Sequence, residues 1–401
     1  MDLKSNEPFW LVKNGMPHSY PSLTANIETD ILIIGAGITG SLIAHQCIKE
    51  GYKTTIIDRR DVANGSTSAT TSMLQYEIDV PLYKLKTLIG NDAATASYKA
   101  CLASLSKLEE ITKEINSNCG FKKKESLYFA SYKKDVPWLK QEYEARKKEG
   151  FDVKWLEAEA IEQKYAIKNS FGGILSKDGA SIDAYTLCHE LLNFNSKKGL
   201  GVYDKTAIKD TTYNANGVQV ITEDSYLISA KKIIYCNGFE GTQLIKEHIA
   251  NLLATYALVC EQNLEIPKKI TNTLVWNTAQ PYLYLRTTDD NRLLIGGEDI
   301  KFTTGKKRDQ LLTYKTSRLE KKLKKILPDY SFKTDYSWAG TFAETKDGLP
   351  YIGEHSDFKN TLFVLGFGGN GITFSVLGMD IISDLLKGKK NKLAEYFRFE
   401  R

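Results

Sequence analysis

Metal-binding and disulfide patterns are missing from this chain. Its six cysteines (47, 101, 119, 188, 236 and 260) are scattered, and none forms a CxxC pair. That spacing excludes a disulfide frame or zinc ribbon and predicts reduced, mostly buried thiols in a cytoplasmic protein. Histidine is scarce: five residues, none in HxxxH or HxH spacing, which argues against a metal enzyme. No segment approaches the roughly 18 consecutive apolar residues of a membrane span. Residues 1–10 are mixed polar, without the apolar core of a signal peptide. Charge of one sign is lacking too. The 54 basic residues face 49 acidic ones, a net +5, which makes no case for nucleic acid. The lysine runs at 122–124 and 321–325 read as solvated faces. No repeat or low-complexity stretch occurs. What remains is globular: 401 residues, 42% hydrophobic and 26% charged, enough for two domains or one large core plus a cap.

Residues 30–58 carry the strongest local pattern. Ile31 to Ile34 reads as a buried parallel strand, followed by Gly35-Ala-Gly-Ile-Thr-Gly40. Gly35 permits a tight turn, Gly37 lets backbone approach a pyrophosphate, and Gly40 lets the next helix pack closely. Leu42, Ile43, Cys47 and Ile48 give that helix an apolar face, and Gly51 stops it. Its N-terminus points unpaired N–H groups at phosphates. A second strand ends at Asp58, placed to accept hydrogen bonds from the ribose hydroxyls of an adenosine. The whole reads as a dinucleotide-binding unit; the alternative is a tight strand–helix turn without a ligand.

Further along, residues 7–23 are rich in aromatics and proline, which predicts an ordered arm and no regular helix. Helices are predicted at 81–117, 135–149, 183–195 (capped by Ser181 or Asp183), 307–326 and 372–387. Strands are predicted at 125–131, 206–210, 217–222, 225–229, 255–259, 282–286, 292–295 and 362–365. The last strand leads into Gly366-Phe-Gly-Gly-Asn-Gly371 and an apolar helix. So many glycines allow a flat group to lie against backbone. The positive end of that helix would stabilise a reduced flavin, negative at N1 and O2. An ordinary glycine-rich turn is the alternative. A nicotinamide enzyme needs only the first unit.

Four blocks carry a resemblance: Gly35-Ala-Gly-Ile-Thr-Gly40, Gly65-Ser-Thr-Ser-Ala-Thr70, Lys346-Asp-Gly-Leu-Pro-Tyr-Ile-Gly353 and Gly366-Phe-Gly-Gly-Asn-Gly-Ile-Thr373. By their order and spacing over residues 28–395, the chain resembles the D-amino-acid oxidase / glycine oxidase superfamily of FAD-dependent oxidoreductases. Within it, the chain looks like bacterial amine oxidoreductases of the gamma-glutamylputrescine type. The resemblance implies an α/β fold (α+β overall) with a discontinuous Rossmann-like FAD-binding domain and a second domain on a largely antiparallel sheet. The implied layout is an arm at 1–27, FAD-binding segments at 28–95, 179–250 and 336–401, and substrate segments at 96–178 and 251–335. It further implies cofactor contacts at Gly35, Gly37, Ile38, Thr39, Gly40, Asp58 and Arg59. The hydroxyl-rich loop (Ser66, Thr67, Ser68, Thr70, Thr71, Ser72) would run beneath the ribityl chain and ring. Ile208, Asn237 and Gly238 would lie at the adenosine, and Gly369, Asn370, Gly371 and Ile372 would frame the pyrimidine. Some relatives link flavin through a cysteine before the Asp-Gly-Leu-Pro block or a histidine in the hydroxyl-rich loop. Here Gly340 and Ala69 stand near those positions, so FAD is expected to be non-covalent.

The implied reaction is hydride transfer from a carbon beside nitrogen or oxygen to flavin N5. An amine gives an imine, which water hydrolyses. Its lone pair drives the step without a strong base, so the lack of an obvious catalytic histidine fits an amine or amino acid. Oxygen, a quinone or a carrier protein would accept the electrons. Alternation puts Tyr282, Tyr284 and Arg286 on one strand face. Arg286 either binds a substrate carboxylate or sits in a surface ion pair. Tyr76, Glu77, Trp338 and Thr341 are further candidates for substrate contact, while Lys346 and Asp347 shape a turn. Rival readings are a 2-hydroxy-acid or glycerol-phosphate dehydrogenase on the same fold, a non-catalytic flavin-binding protein, and a nicotinamide dehydrogenase.

Overall fold

The structure, a computed structural model, describes residues 2–5, 7–263, 265–366 and 368–401. Phe367 of the second glycine cluster and Met1 lie outside the described residues. The strand that opens the dinucleotide pattern runs Ile27–Ile34 and sits inside an eight-stranded sheet. The order is 351–353, 361–365, 227–235, 27–34, 54–57, 201–203. The strands from 361–365 to 201–203 run parallel. A hairpin of 208–214 and 217–222 joins by antiparallel pairing with the first half of 227–235. Alternation sorts the central strand. Ile31 and Ile33 pack under the helices Ile38–Lys49, Ala184–Ser196 and Gly371–Leu386. Leu32 and Ile34 face the other way, against Val218, Val220 and Phe363.

A second sheet has nine strands in the order 334–344, 251–262, 292–301, 283–287, 273–277, 122–129, 173–181, 73–75, with 153–156 beside 173–181. It is antiparallel except where 273–277 meets 122–129. Tyr256 and Leu258 pack outward against Leu319 and Leu323 of the helix Leu312–Ile326, while Ala257 and Val259 face inward. One apolar cluster thus joins the helical layer of the first sheet to the inner face of the second, and locks their orientation.

The α/β class, the Rossmann-like sheet and the antiparallel second sheet are all present. Several boundaries differ for local reasons. The N-terminal arm does contain a helix, Phe9–Asn14, because Pro8 precedes it and Gly15, at φ +60°, ends it. Proline and glycine there bound a helix and do not break it. The 81–117 helix is two, Leu82–Ile89 and Asn91–Glu114, split by Gly90 at φ +90°. The 307–326 helix is likewise Gly305–Gln310 and Leu312–Ile326. The 225–229 strand belongs to Leu227–Tyr235, which pairs in parallel with 27–34 along nearly its whole length.

Candidate active site

A cavity of about 980 Å³ runs between the two sheets. One end is built by the Gly35–Gly40 turn. Gly35 sits at φ +103°, and a Cβ there would lie 2.8 Å from the Cys236 carbonyl. A Cβ on Gly37 would lie 2.9 Å from Thr67 Oγ1, the atom that accepts from the Ile38 amide at 3.0 Å. Gly40 does not line the cavity; a Cβ there would lie 1.9 Å from the Gly35 carbonyl oxygen. Asp58, at the end of Thr54–Ile57, accepts from the Ala36 amide (2.8 Å) and the Arg60 amide (2.9 Å). Burial pushes its pKa up, against those two bonds. Arg59 and Arg60 both pair with Glu240 beside it.

The hydroxyl-rich loop is held from behind by three buried side chains. Trp338 Nε1 donates to the Ala69 carbonyl (2.8 Å), Trp10 Nε1 to Thr70 (2.7 Å) and Arg286 Nε to Thr71 (2.6 Å). With those carbonyls turned away, Ser66, Thr67, Thr70 and Thr71 line the cavity; Ser68 is buried and donates to the Gly65 carbonyl. At the second glycine cluster, Asn370 Nδ2 donates to the carbonyls of Gln75 (3.0 Å) and Glu77 (2.9 Å). The Gly369 amide donates to Asp79 at 2.8 Å. Thr39 and Ser375 hydroxyls meet at 2.7 Å, tying the two glycine-led helices together. Gly369, Gly371, Ile372, Ile208, Asn237 and Gly238 also line the cavity.

The opposite end is aromatic and acidic. Tyr282 and Tyr284 line it, as do Tyr128 and Trp276, whose rings stack at 3.5 Å. Glu77, Asp79, Glu344 and Thr341 complete this wall, with Lys84 at the rim over the Trp138 ring. Three substrate candidates need correction. Arg286 is only 2% exposed and lies outside the cavity. Its guanidinium is spent on the carbonyls of Thr71, Ile182 (2.8 Å) and Thr287 (3.3 Å), so it braces the loop and reaches no substrate. Alternation put it on the correct face, but that face is covered there by the loop. Tyr76 is fully buried, stacked on Phe151 at 4.9 Å, and is a core residue. Trp338 is also outside the cavity. Asp347 accepts from the Leu349 amide at 3.1 Å, a turn contact. The sequence reading missed Tyr128, Trp276, Asp79 and Glu344. The first two meet only because 122–129 pairs with 273–277, a register no local pattern reports.

A parallel sheet with a glycine-led strand–helix turn, opening on a cavity roofed by a second sheet, is the frame of a dinucleotide-dependent oxidoreductase. The family model described as FAD dependent oxidoreductase matches residues 30–385, and the chain belongs to that family. Among relatives, glycine oxidase of Bacillus licheniformis is 26% identical over 390 residues, covering 93% of this chain and 97% of that protein. A putative Rieske 2Fe-2S iron-sulfur protein of Bacillus subtilis is 25% identical over 398 residues, covering 98% of this chain and 75% of that one. Gamma-glutamylputrescine oxidoreductase of Escherichia coli is 22% identical, covering 92% and 86%. The solved glycine oxidase from Geobacillus kaustophilus superposes with a TM-score of 0.78 at 19% identity, covering 93% of this chain and 99% of that one.

The cavity suits FAD on its own chemistry. A Cβ at Gly37 would crowd it, and Asn237 Oδ1 is a buried cavity-side acceptor without a partner among the described residues.

Proposed function

We propose that this chain oxidises an amine or amino acid at the carbon bearing nitrogen, using dissociable FAD. The carrying observation is that one cavity joins the Gly35–Gly40 turn to the aromatic, acidic end, so cofactor and substrate share it. Asp58, Arg59, Ile208, Asn237 and Gly238 would hold the adenosine. Gly35, Gly37, Ile38 and Thr39 would face the pyrophosphate. Ser66, Thr67, Thr70 and Thr71 would underlie the ribityl chain, and Gly369, Asn370, Gly371 and Ile372 the pyrimidine. Gly40 and Ser68 serve packing. When bound, FAD supplies the two-electron acceptor for the substrate's C–H bond.

The chain's residues supply orientation and dryness. Tyr282, Tyr284 and the Tyr128–Trp276 stack wall the substrate end, which fixes the reacting carbon and excludes water. Carboxylates on this wall can take a proton from an ammonium and free its lone pair. Cys236 is the cysteine among the described lining residues; it sits beside Gly35, and burial pushes its thiol well up. That supports non-covalent binding. Six free, buried thiols also suit a reducing compartment, and we place the protein in the cytoplasm.

The test is an anaerobic screen with the flavin band as readout. Amines or amino acids should bleach it. Bleaching by 2-hydroxy acids or glycerol phosphate alone would overturn the reading.

A further inference from the structure

The substrate end of the cavity gathers carboxylates that outnumber its cations. Asp79 and Glu344 both face it. Asp79 accepts one backbone bond, from Gly369, and neither carboxylate has an ion-pair partner among the described residues. Asp299 stands behind Thr255 and Tyr282, whose hydroxyls hydrogen-bond its carboxyl. Glu77, 4% exposed, lines the same wall but is held by Arg146 at 3.4 Å and by the Ser126 hydroxyl. Burial raises Glu344 and Asp299, and the Asp79 charge raises both further, so these groups share one field. Of the cations among the described lining residues, Arg59, Arg60 and Lys209 lie at the other end, around Asp58 and Ile208, and Lys84 sits at the rim of this one over Trp138.

We propose that the substrate carries a second, cationic group remote from the oxidised C–N bond, and that Asp79 and Glu344 receive it. This rests on the amine-oxidase reading above and names its substrate class: a diamine or an amine with a distal ammonium. A distal carboxylate would meet like charge there. A distal ammonium would relieve it, and the faces of Tyr282 and Tyr284 add cation–π attraction.

Three probes with the same number of carbons separate the cases: 1,4-diaminobutane, n-butylamine and 4-aminobutanoate. They share the reacting amine and differ at the far end. With holoenzyme, the second-order rate of anaerobic flavin bleaching should fall in that order. Glu344→Gln should cut the ratio of diamine to butylamine rates by roughly tenfold, the loss of one charge-assisted contact. Asp79→Asn, which keeps an acceptor for the Gly369 amide, should shift the same ratio in the same direction. The inference is overturned if 4-aminobutanoate bleaches as fast as the diamine, or if both variants slow all three probes by one common factor. In those outcomes amine oxidation stands and only the cation site falls. If 2-hydroxy acids bleach the flavin and no amine does, the functional reading itself has failed, and the cation site with it.

Discussion

A methyl group on Gly37 would lie 2.9 Å from the Thr67 hydroxyl that caps the Ile38 amide. Gly37→Leu should therefore yield folded but colourless protein, because the side chain fills the cradle beneath the phosphates. The ratio of flavin to protein absorbance checks this; full occupancy would refute the placement. Two adjacent carboxylates show how position sets charge. Burial raises Glu298, but ion pairs to Arg318, Lys322 and Lys315 outweigh it and hold it at about 2. Its neighbour Asp299 is pushed by burial up to about 7. For Asp299 the folded state binds its proton more tightly than the unfolded chain. Its contribution is therefore favourable below about pH 4, the unfolded value, and is lost as pH rises through 7. Asp299→Asn removes that titration. The variant should match wild type near pH 4 and melt higher than wild type at pH 8. Parallel melting curves across that range would sink the claim. For Glu298 the sign reverses: its contribution is present above about pH 4.5 and lost as pH falls towards 2.

The Phe9–Asn14 helix places Trp10, 1% exposed, under the hydroxyl-rich loop, with its indole N–H on Thr70 and its ring 5.3 Å from the Arg286 guanidinium. Truncating a buried tryptophan costs about 3–5 kcal/mol. Trp10→Ala should lower the melting temperature and also speed flavin loss on gel filtration, because the loop loses one of its three rear anchors. A lower melting temperature with flavin retained would mean that Trp338 and Arg286 suffice. Elements with a strong period were legible: Ile38–Lys49, Ala184–Ser196 and Gly371–Leu386 all fall where apolar spacing and caps put them. Asp183 caps its helix as read, accepting from the Thr186 amide at 3.0 Å. Short strands such as 73–75, 153–156 and 351–353 were not legible, since their identity comes from a partner strand and not from their own pattern.

At the scale of the whole molecule, FAD would touch both sheets and cross-brace them. A ligand bound only by the folded state adds about 4 kcal/mol at a thousandfold excess over Kd. Acid precipitation should leave the yellow colour in the supernatant. Protein stripped under mild conditions should melt lower, and its melting temperature should climb with added FAD. A pellet that stays yellow would mean a covalent link.

The dinucleotide turn was determined by the sequence alone, because its demands are local. A strand, three glycines, a helix start and a terminal acid all lie within residues 30–58, and each acts through backbone geometry near it in the chain. The substrate end was decided only by tertiary structure. Alternation correctly put Tyr282, Tyr284 and Arg286 on one face, yet what covers that face varies along the strand. The two tyrosines open on the cavity, while Arg286 lies beneath the Thr71 and Ile182 carbonyls. The Tyr128–Trp276 stack and the gathering of Asp79, Asp299 and Glu344 need strands paired from distant parts of the chain. Periodicity along a chain reports which way a side chain points. What it meets there depends on the packing of the other sheet, which no local pattern encodes.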